Sequence, residues 1–86
     1  MKKQASPQLT AALLEAVDNQ LQDLNPQETK ETYDRLVASG ISDKEARRLI
    51  AVALSTEMFE MLKNKKNYNA QRYIASLRKL PKHPWD

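Results

Sequence analysis

Residues 36–54 have the sequence LVASGISDKEARRLIAVAL, which predicts two helices joined by a tight turn. Gly40 is the only glycine in the chain, and glycine readily adopts the left-handed conformation that ends many helices. Ser42 precedes Glu45 by three residues, and such a pair caps a helix start because each side chain can bond an otherwise unpaired amide. The stretch therefore predicts that one helix ends at Gly40 and the next begins at about Asp43.

The helix that follows Ser42 is predicted to be the centre of the fold. Its apolar residues cover most of the helix circumference, and a helix that is apolar all round is normally surrounded by other elements. We expect it to run from about residue 43 to 63 and to bury most of its apolar side chains in the core. These side chains belong to Ala46, Leu49, Ile50, Val52, Ala53, Leu54, Met58, Phe59, Met61 and Leu62. The cluster of Met58, Phe59, Met61 and Leu62 could alternatively form a soft binding surface, although apolar residues at this spacing more often fill the core.

The helix that precedes Gly40 is predicted to begin at Pro26. The side chain of Asn25 can cap this helix, and proline suits the first helical position because the amide there has no intrahelical partner. We expect the helix to run from about residue 26 to 39. Its predicted buried stripe consists of Tyr33, Leu36 and Val37.

Two further helices are predicted outside this central pair. Ser6 and Pro7 form a start for the first, and Asn69 can cap the last. The sequence thus predicts an all-α fold, a small bundle of four helices with the third helix central. The predicted helices span about 7–24, 26–39, 43–63 and 70–79. We expect a single domain over residues 1–86, with irregular tails at 1–5 and 81–86.

Composition narrows the class of protein. The chain has 41% hydrophobic and 29% charged residues, a balance typical of folded globular domains. It contains no cysteine, which excludes disulfides, thiolate nucleophiles and cysteine-ligated zinc. No apolar run approaches the roughly 18 residues that a membrane span needs, and polar residues follow Met1-Lys2-Lys3 where a signal peptide would be apolar. We therefore expect a cytoplasmic protein without a membrane partner.

Few residues are candidates for chemistry. His83 is the only histidine, so it has neither a second histidine nor a cysteine to help it bind a metal or act as a base. Glu57 and Glu60 lie three residues apart, but the Glu-x-x-His partner of bundle metal sites is missing. We expect the two carboxylates to form a solvated edge or to pair with Lys63 or Lys65. The sequence predicts no enzyme, no metal and no cofactor.

Charge is distributed unevenly along the chain. Residues 4–34 contain six acids and one base, whereas residues 61–86 contain seven bases and one acid. The basic third could bind nucleic acid, because Tyr68, Tyr73 and Trp85 are interleaved with its bases. It could equally be the solvated face of an amphipathic helix, or it could neutralise the acidic first helix by lying against it. The candidate polyanion surface is Lys63, Lys65, Lys66, Arg72, Arg78, Lys79 and Lys82.

Two resemblances bear on the fold. From Asn25 to Pro81 the chain resembles short bacterial proteins of the conserved-hypothetical kind, which implies no activity. The segment 36–49 resembles the first turn of ubiquitin-associated-type three-helix domains, which also occur as small adaptor modules. Those domains have Met-Gly-Phe or Met-Gly-Tyr where this chain has Ser39, Gly40 and Ile41, so ubiquitin binding is not implied. The resemblance implies a shape that more often belongs to a binding module than to an enzyme.

The first functional hypothesis is a noncatalytic module that binds a protein partner or a second copy of itself. A small bundle has too few helices to cover a central helix that is apolar all round. We therefore expect an uncovered apolar strip on the first and third helices. The candidate interaction surface is Leu9, Leu13, Met58 and Met61. The alternative hypothesis is a protein that binds nucleic acid through the basic third of the chain.

Overall fold

The computed structural model describes residues 7–65 and 67–82. Within these two ranges the chain forms four helices and no strand: α1 (Pro7–Asp23), α2 (Gln27–Ala38), α3 (Asp43–Asn64) and α4 (Ala70–Lys79). The predicted all-α bundle is confirmed, and every helix begins and ends within one residue of its predicted bounds. In the described part of the chain, no helix combines the length and the apolar character that a bilayer span requires.

The turn between α2 and α3 has the predicted construction. Gly40 has a φ of 103°, its amide donates to the Val37 carbonyl at 3.0 Å, and the Ile41 amide donates to the Leu36 carbonyl at 3.1 Å. These two bonds form the Schellman motif, which satisfies carbonyls that a helix end leaves unpaired. The side chain of Ser42 then caps α3 by accepting from the Glu45 amide at 3.1 Å. Asn69 caps α4 in the same way, as predicted.

The start of α2 differs from the prediction, because Asn25 does not cap it. Pro26 occupies the cap position with an extended backbone and no side-chain hydrogen bond, and its carbonyl accepts from the Thr29 amide at 3.1 Å. The Asn25 amide instead donates to the Gln20 carbonyl at 3.2 Å, next to Leu24 in the left-handed conformation. Asn25 therefore completes the end of α1. The predicted cap of α1, Ser6, lies outside the described residues.

Helix α3 is central, as predicted, since it packs against each of the other three and makes the most extensive contacts. In the described ranges, the backbones of α1 and α4 do not pack against each other. The interpretation in which the acidic first helix neutralises the basic last one is therefore wrong. The buried apolar side chains are Val17, Leu36, Ala46, Leu49, Ile50, Ala51, Ala53, Leu54, Tyr73, Leu77 and Leu80.

The buried stripe of α2 is more polar than predicted. Leu36 is buried and Tyr33 partly buried, but Val37 is 41% exposed, and Thr29 and Thr32 are buried in addition. Thr29, Thr32 and Leu36 share one side of the helix at intervals of three and four residues, and this side faces the bundle. The polarity of the stripe does not leave the Thr29 hydroxyl unpaired, because it donates to Gln20 Oε1 at 2.8 Å.

Two polar side chains, Gln20 and Arg35, form hydrogen bonds that connect α1, α2 and α4. Gln20 Oε1 on α1 also accepts from the buried Tyr73 hydroxyl of α4 at 2.7 Å, so one amide oxygen joins α1, α2 and α4. Burial raises the pKa of Tyr73 to about 12. On the other side of α2, the Arg35 guanidinium donates to the carbonyls of Leu77 and Leu80 at 3.0 and 2.8 Å. Arg35 thereby satisfies carbonyls at the C-terminal end of α4.

Candidate functional site

The largest exposed apolar side chains of α3 lie on one side of the helix. Met58, Phe59 and Leu62 are 39%, 60% and 80% exposed. Leu62 follows Met58 by four residues and Phe59 by three, which makes it a surface neighbour of both. We call these three residues the outer face of α3. Their burial was expected from the sequence, and for Phe59 and Leu62 that expectation is wrong. The predicted interaction surface omits Phe59 and Leu62, and their exposure corresponds to the alternative interpretation of this cluster as a binding surface.

The outer face is uncovered because the helices differ in length. Helix α3 has 22 residues, whereas α2 has 12 and α4 has 10, which correspond to about 33, 18 and 15 Å. The buried residues of α3 lie between Ala46 and Glu57, and its last two turns contain none. These turns extend beyond the part of the helix that the bundle buries. The signal in the sequence was the position of Met58, Phe59 and Leu62 on the side opposite Ala53.

A shallow groove runs along one side of Phe59. It has a volume of about 530 Å³ and is lined by Ser55, Thr56, Phe59 and Glu60. The hydroxyls of Ser55 and Thr56 both donate to the Val52 carbonyl, at 2.8 and 3.0 Å. Since these hydrogens are already used within the helix, the Ser55 and Thr56 hydroxyls have no hydrogen left to donate to a ligand, and Glu60 is the charged group of the groove.

Charged groups lie at the C-terminal end of the outer face. The Lys63 ammonium lies 5.9 Å from the centroid of the Phe59 ring, within the range of a cation–π contact. Lys65 is exposed and ends α3 in the left-handed conformation. On the groove side, the carboxylate of Glu60 accepts from Asn64 Nδ2 at 2.6 Å. The face is therefore basic at its end and carries one acid along the groove.

The four residues of the predicted interaction surface have different environments. Leu9 and Met58 are exposed, at 46% and 39%. Leu13 is partly buried and packs against the core, and Met61 is partly buried on α3. Of the predicted set, Met58 belongs to the outer face.

The predicted polyanion surface is divided. Lys63 and Lys65 lie at the end of α3, whereas Arg78, Lys79 and Lys82 lie at and beyond the end of α4, and all five are exposed. Lys66 is outside the described residues. Arg72 lies between the two groups in the sequence, and its guanidinium is paired with the carboxylate of Glu57. Its Nε donates to Glu57 Oε1 at 2.7 Å and its Nη2 to Oε2 at 2.8 Å.

The position of Glu57 contradicts the expectation of a solvated edge paired with Lys63 or Lys65. Its side chain is buried, with 3% of the residue exposed, and it also accepts from the Asn69 amide at 2.9 Å. Burial by itself raises the pKa of Glu57, but the Arg72 hydrogen bonds and the Asn69 amide outweigh it, so the pKa is lowered overall. This carboxylate holds the start of α4 against α3 and is a structural group.

A second depression, of about 380 Å³, lies where α1, α2 and α3 meet. Arg47 spans it, donating from Nε and Nη2 to the two carboxylate oxygens of Asp18 at 2.8 and 2.7 Å. The Tyr33 hydroxyl donates to Asp43, and this bond raises the pKa of Tyr33. Four polar residues of the depression thus form two pairs with each other, Lys30 pairs with Asp34, and none of the described residues places a nucleophile beside a base here.

The described ranges contain no cluster of three or more residues that could hold a metal ion. No family model, curated protein or solved structure matches the chain. The function of the protein has therefore to be argued from the chemistry of its own surface.

Proposed function

We propose that the protein is a noncatalytic helical module that binds another protein through the outer face of α3. The observation that carries the proposal is the exposure of Met58, Phe59 and Leu62 side by side on one helix. Contiguous apolar surface of this kind is unfavourable in water and commonly marks an interaction site. Removing it from water would be favourable in proportion to the area buried.

The chemistry of the three side chains supports the same function. An aromatic ring provides a large rigid contact area, and such residues are enriched at interface centres. Methionine adapts its shape to a partner surface. We further propose that the module works in the cytoplasm, a reducing compartment with which a chain that contains no cysteine is compatible.

The proposal is tested by site-specific photo-crosslinking in cells that express the full chain. A photoreactive amino acid is placed at residue 62 on the outer face or at residue 37, where exposed Val37 provides a matched apolar control on α2. We expect discrete adducts from position 62 that disappear when Phe59→Ser is added, and no such adducts from position 37. Equal adducts from both positions, or adducts that persist with Phe59→Ser, would overturn the proposal.

A second candidate function is nucleic-acid binding through the basic groups near the ends of α3 and α4. Lys63, Lys65, Arg78, Lys79 and Lys82 are exposed, and none of them forms an ion pair with a carboxylate in the described ranges. Free surface cations can release counterions from phosphates. This observation favours the second candidate, although the charge of one predicted base, Arg72, is compensated by Glu57.

The second candidate is tested by titrating fluorescent single- and double-stranded oligonucleotides at about 50 and 200 mM salt. The double variant Arg78→Gln and Lys79→Gln should lower the slope of log affinity against log salt by about two. The control is Lys30→Gln with Arg48→Gln, since both bases already pair with Asp34 and Glu45 on their own helices. Binding that is absent at both salts, or equal in the two double variants, rules this function out.

A further inference from the structure

We infer that the partner of the outer face is an acidic amphipathic helix, bound with its acidic residues at the Lys63 and Lys65 end of α3. The inference rests on the proposed function and specifies the partner. It follows from the charges around the face, from the shape of the face and from the kind of contact it offers.

The charges of α3 favour an acidic partner. Three of its four carboxylates are already engaged. Asp43 accepts from Tyr33, Glu45 binds Arg48 through both oxygens, and Glu57 is buried against Arg72. The cations Lys63 and Lys65 have no carboxylate partner in the described part of the chain. The end of the outer face therefore carries uncompensated positive charge, which attracts acidic groups within a Debye length.

The remaining carboxylate sets the orientation. Glu60 is partly exposed on the groove side of Phe59 and accepts from Asn64, a neutral group. It forms no ion pair with a described base, and Arg72, which interacts with it electrostatically, is already paired with Glu57. Acidic residues of a partner would be repelled there and attracted at Lys63 and Lys65. The apolar stripe of the partner should therefore contact Phe59 and its groove, with the acids placed beyond Leu62.

The form of the face favours a helical partner over an extended one. The described chain has no strand and so offers no sheet edge to which an extended peptide could add. Recognition must come from side chains. The groove and the outer face together extend from Ser55 to Leu62, about 10 Å along the helix, a length that three apolar anchors at i, i+3 and i+7 of a second helix would match.

A second copy of the chain suits the face less well. In a parallel two-fold arrangement of the two outer faces, the Lys63 and Lys65 side chains of both copies would lie at the same end of the contact. Like charges so placed oppose association. Self-association is therefore one of the outcomes of the test that would overturn the inference.

The experiment measures the binding of two designed fluorescent peptides to the full chain by anisotropy. Both peptides carry the same leucine stripe at i, i+3, i+4 and i+7, and they differ only in having glutamate or lysine at the flanking positions. We expect the acidic peptide to bind about tenfold more tightly than the basic one at low salt, since two exposed ion pairs replace two repulsions. The preference should shrink at 200 mM salt.

Substitutions in the protein identify the residues that contact the peptide. Phe59→Ser and Leu62→Ser should weaken the binding of the acidic peptide, whereas Val37→Ser should leave it unchanged. The double variant Lys63→Glu and Lys65→Glu should reverse the preference toward the basic peptide. Equal binding of the two peptides, no reversal in the charge-swapped variant, or sedimentation of the unliganded chain as a dimer dissociated by Leu62→Ser would overturn the inference.

The peptide experiment can fail independently of the proposed function. If crosslinking at residue 62 yields Phe59-dependent adducts while the peptides show no charge preference, the module binds a protein of another chemical class. If neither experiment gives a result that depends on Phe59, both the class of partner and the interaction surface itself are wrong.

Discussion

At the scale of single residues, Glu57 is the charged side chain that is buried in the described part of the chain. It is a carboxylate buried between α3 and α4, and its charge is balanced by the Arg72 guanidinium and the Asn69 amide. A buried ion pair is weak evidence for stability, because desolvation opposes the attraction. Losing one partner is nevertheless costly, since the other is left without its hydrogen bonds.

Glu57 should make the stability of the protein dependent on acidic pH. Its pKa in the folded chain lies below the ordinary value of 4.5, so its stabilising contribution is fully present above pH 4.5. That contribution is lost as the pH falls from there through the folded pKa. We expect the free energy of unfolding, measured by urea titration, to decline over this window in the parent chain and to decline less in Glu57→Gln.

The matched control for this prediction is Glu60→Gln, which alters an exposed carboxylate three residues away. It should leave the acid-dependent decline of the parent unchanged. At neutral pH, Glu57→Gln should lower the free energy of unfolding by about 1 to 3 kcal/mol, and Glu60→Gln by less than about 0.5 kcal/mol. Parallel pH profiles for the parent and Glu57→Gln would show that the pair does not stabilise the fold.

At the scale of the elements, one amide oxygen connects three helices. Gln20 Oε1 accepts from Thr29 and from Tyr73, and both donors are buried. In the described ranges the backbones of α1 and α4 do not pack against each other, and each packs on α2 and α3 instead. The Gln20–Tyr73 hydrogen bond therefore links two helices that are otherwise connected through α2 and α3. The register of α1 on the bundle should therefore depend on it.

Gln20→Leu should destabilise the protein more than Tyr73→Phe. The first variant removes the amide oxygen that accepts from two buried hydroxyls and should cost about 2 to 4 kcal/mol, while the second removes one donor and should cost about 1 kcal/mol. Chemical unfolding followed by circular dichroism measures both. A smaller loss in Gln20→Leu than in Tyr73→Phe would show that the hydroxyls find other partners.

Helix boundaries were predictable at this scale because most of their signals are local. Ser42, Gly40 and Asn69 act on backbone groups within a few residues, so their neighbours in the sequence suffice to predict them. The prediction for Asn25 was wrong because α1 and α2 are separated by only three residues. The end of the first helix and the start of the second compete for this short segment, in which the Asn25 amide bonds the Gln20 carbonyl of α1. Local rules do not decide such a competition.

At the scale of the whole molecule, α3 has one side in the core and one side on the surface. Ile50 is fully buried and Leu62 is 80% exposed, although both are large aliphatic residues of the same helix. The contrast results from the shorter helices that pack on α3, since their lengths limit how much of it they cover. The candidate interaction surface is thus a consequence of the architecture.

Alanine substitution on the two sides of α3 should separate stability from binding. Ile50→Ala should lower the free energy of unfolding by about 2 to 5 kcal/mol, because it leaves a cavity in the core. Leu62→Ala should change the free energy of unfolding by less than about 0.5 kcal/mol but should weaken the binding of the acidic peptide. Urea unfolding and peptide anisotropy on the same two variants make the comparison. A large loss of stability in Leu62→Ala would mean that the outer face is part of the core.

The sequence by itself determined the class of fold, the four helices and the central role of α3, because capping and helical periodicity depend on neighbouring residues. Only the tertiary structure decided which side of α3 is covered. An all-round apolar helix has no preferred face until the lengths and contacts of its neighbours select one, and this choice exposed Phe59 and Leu62. The pairing of Glu57 with Arg72, fifteen residues away, likewise depends on how α4 packs, because distant charges meet only through the fold.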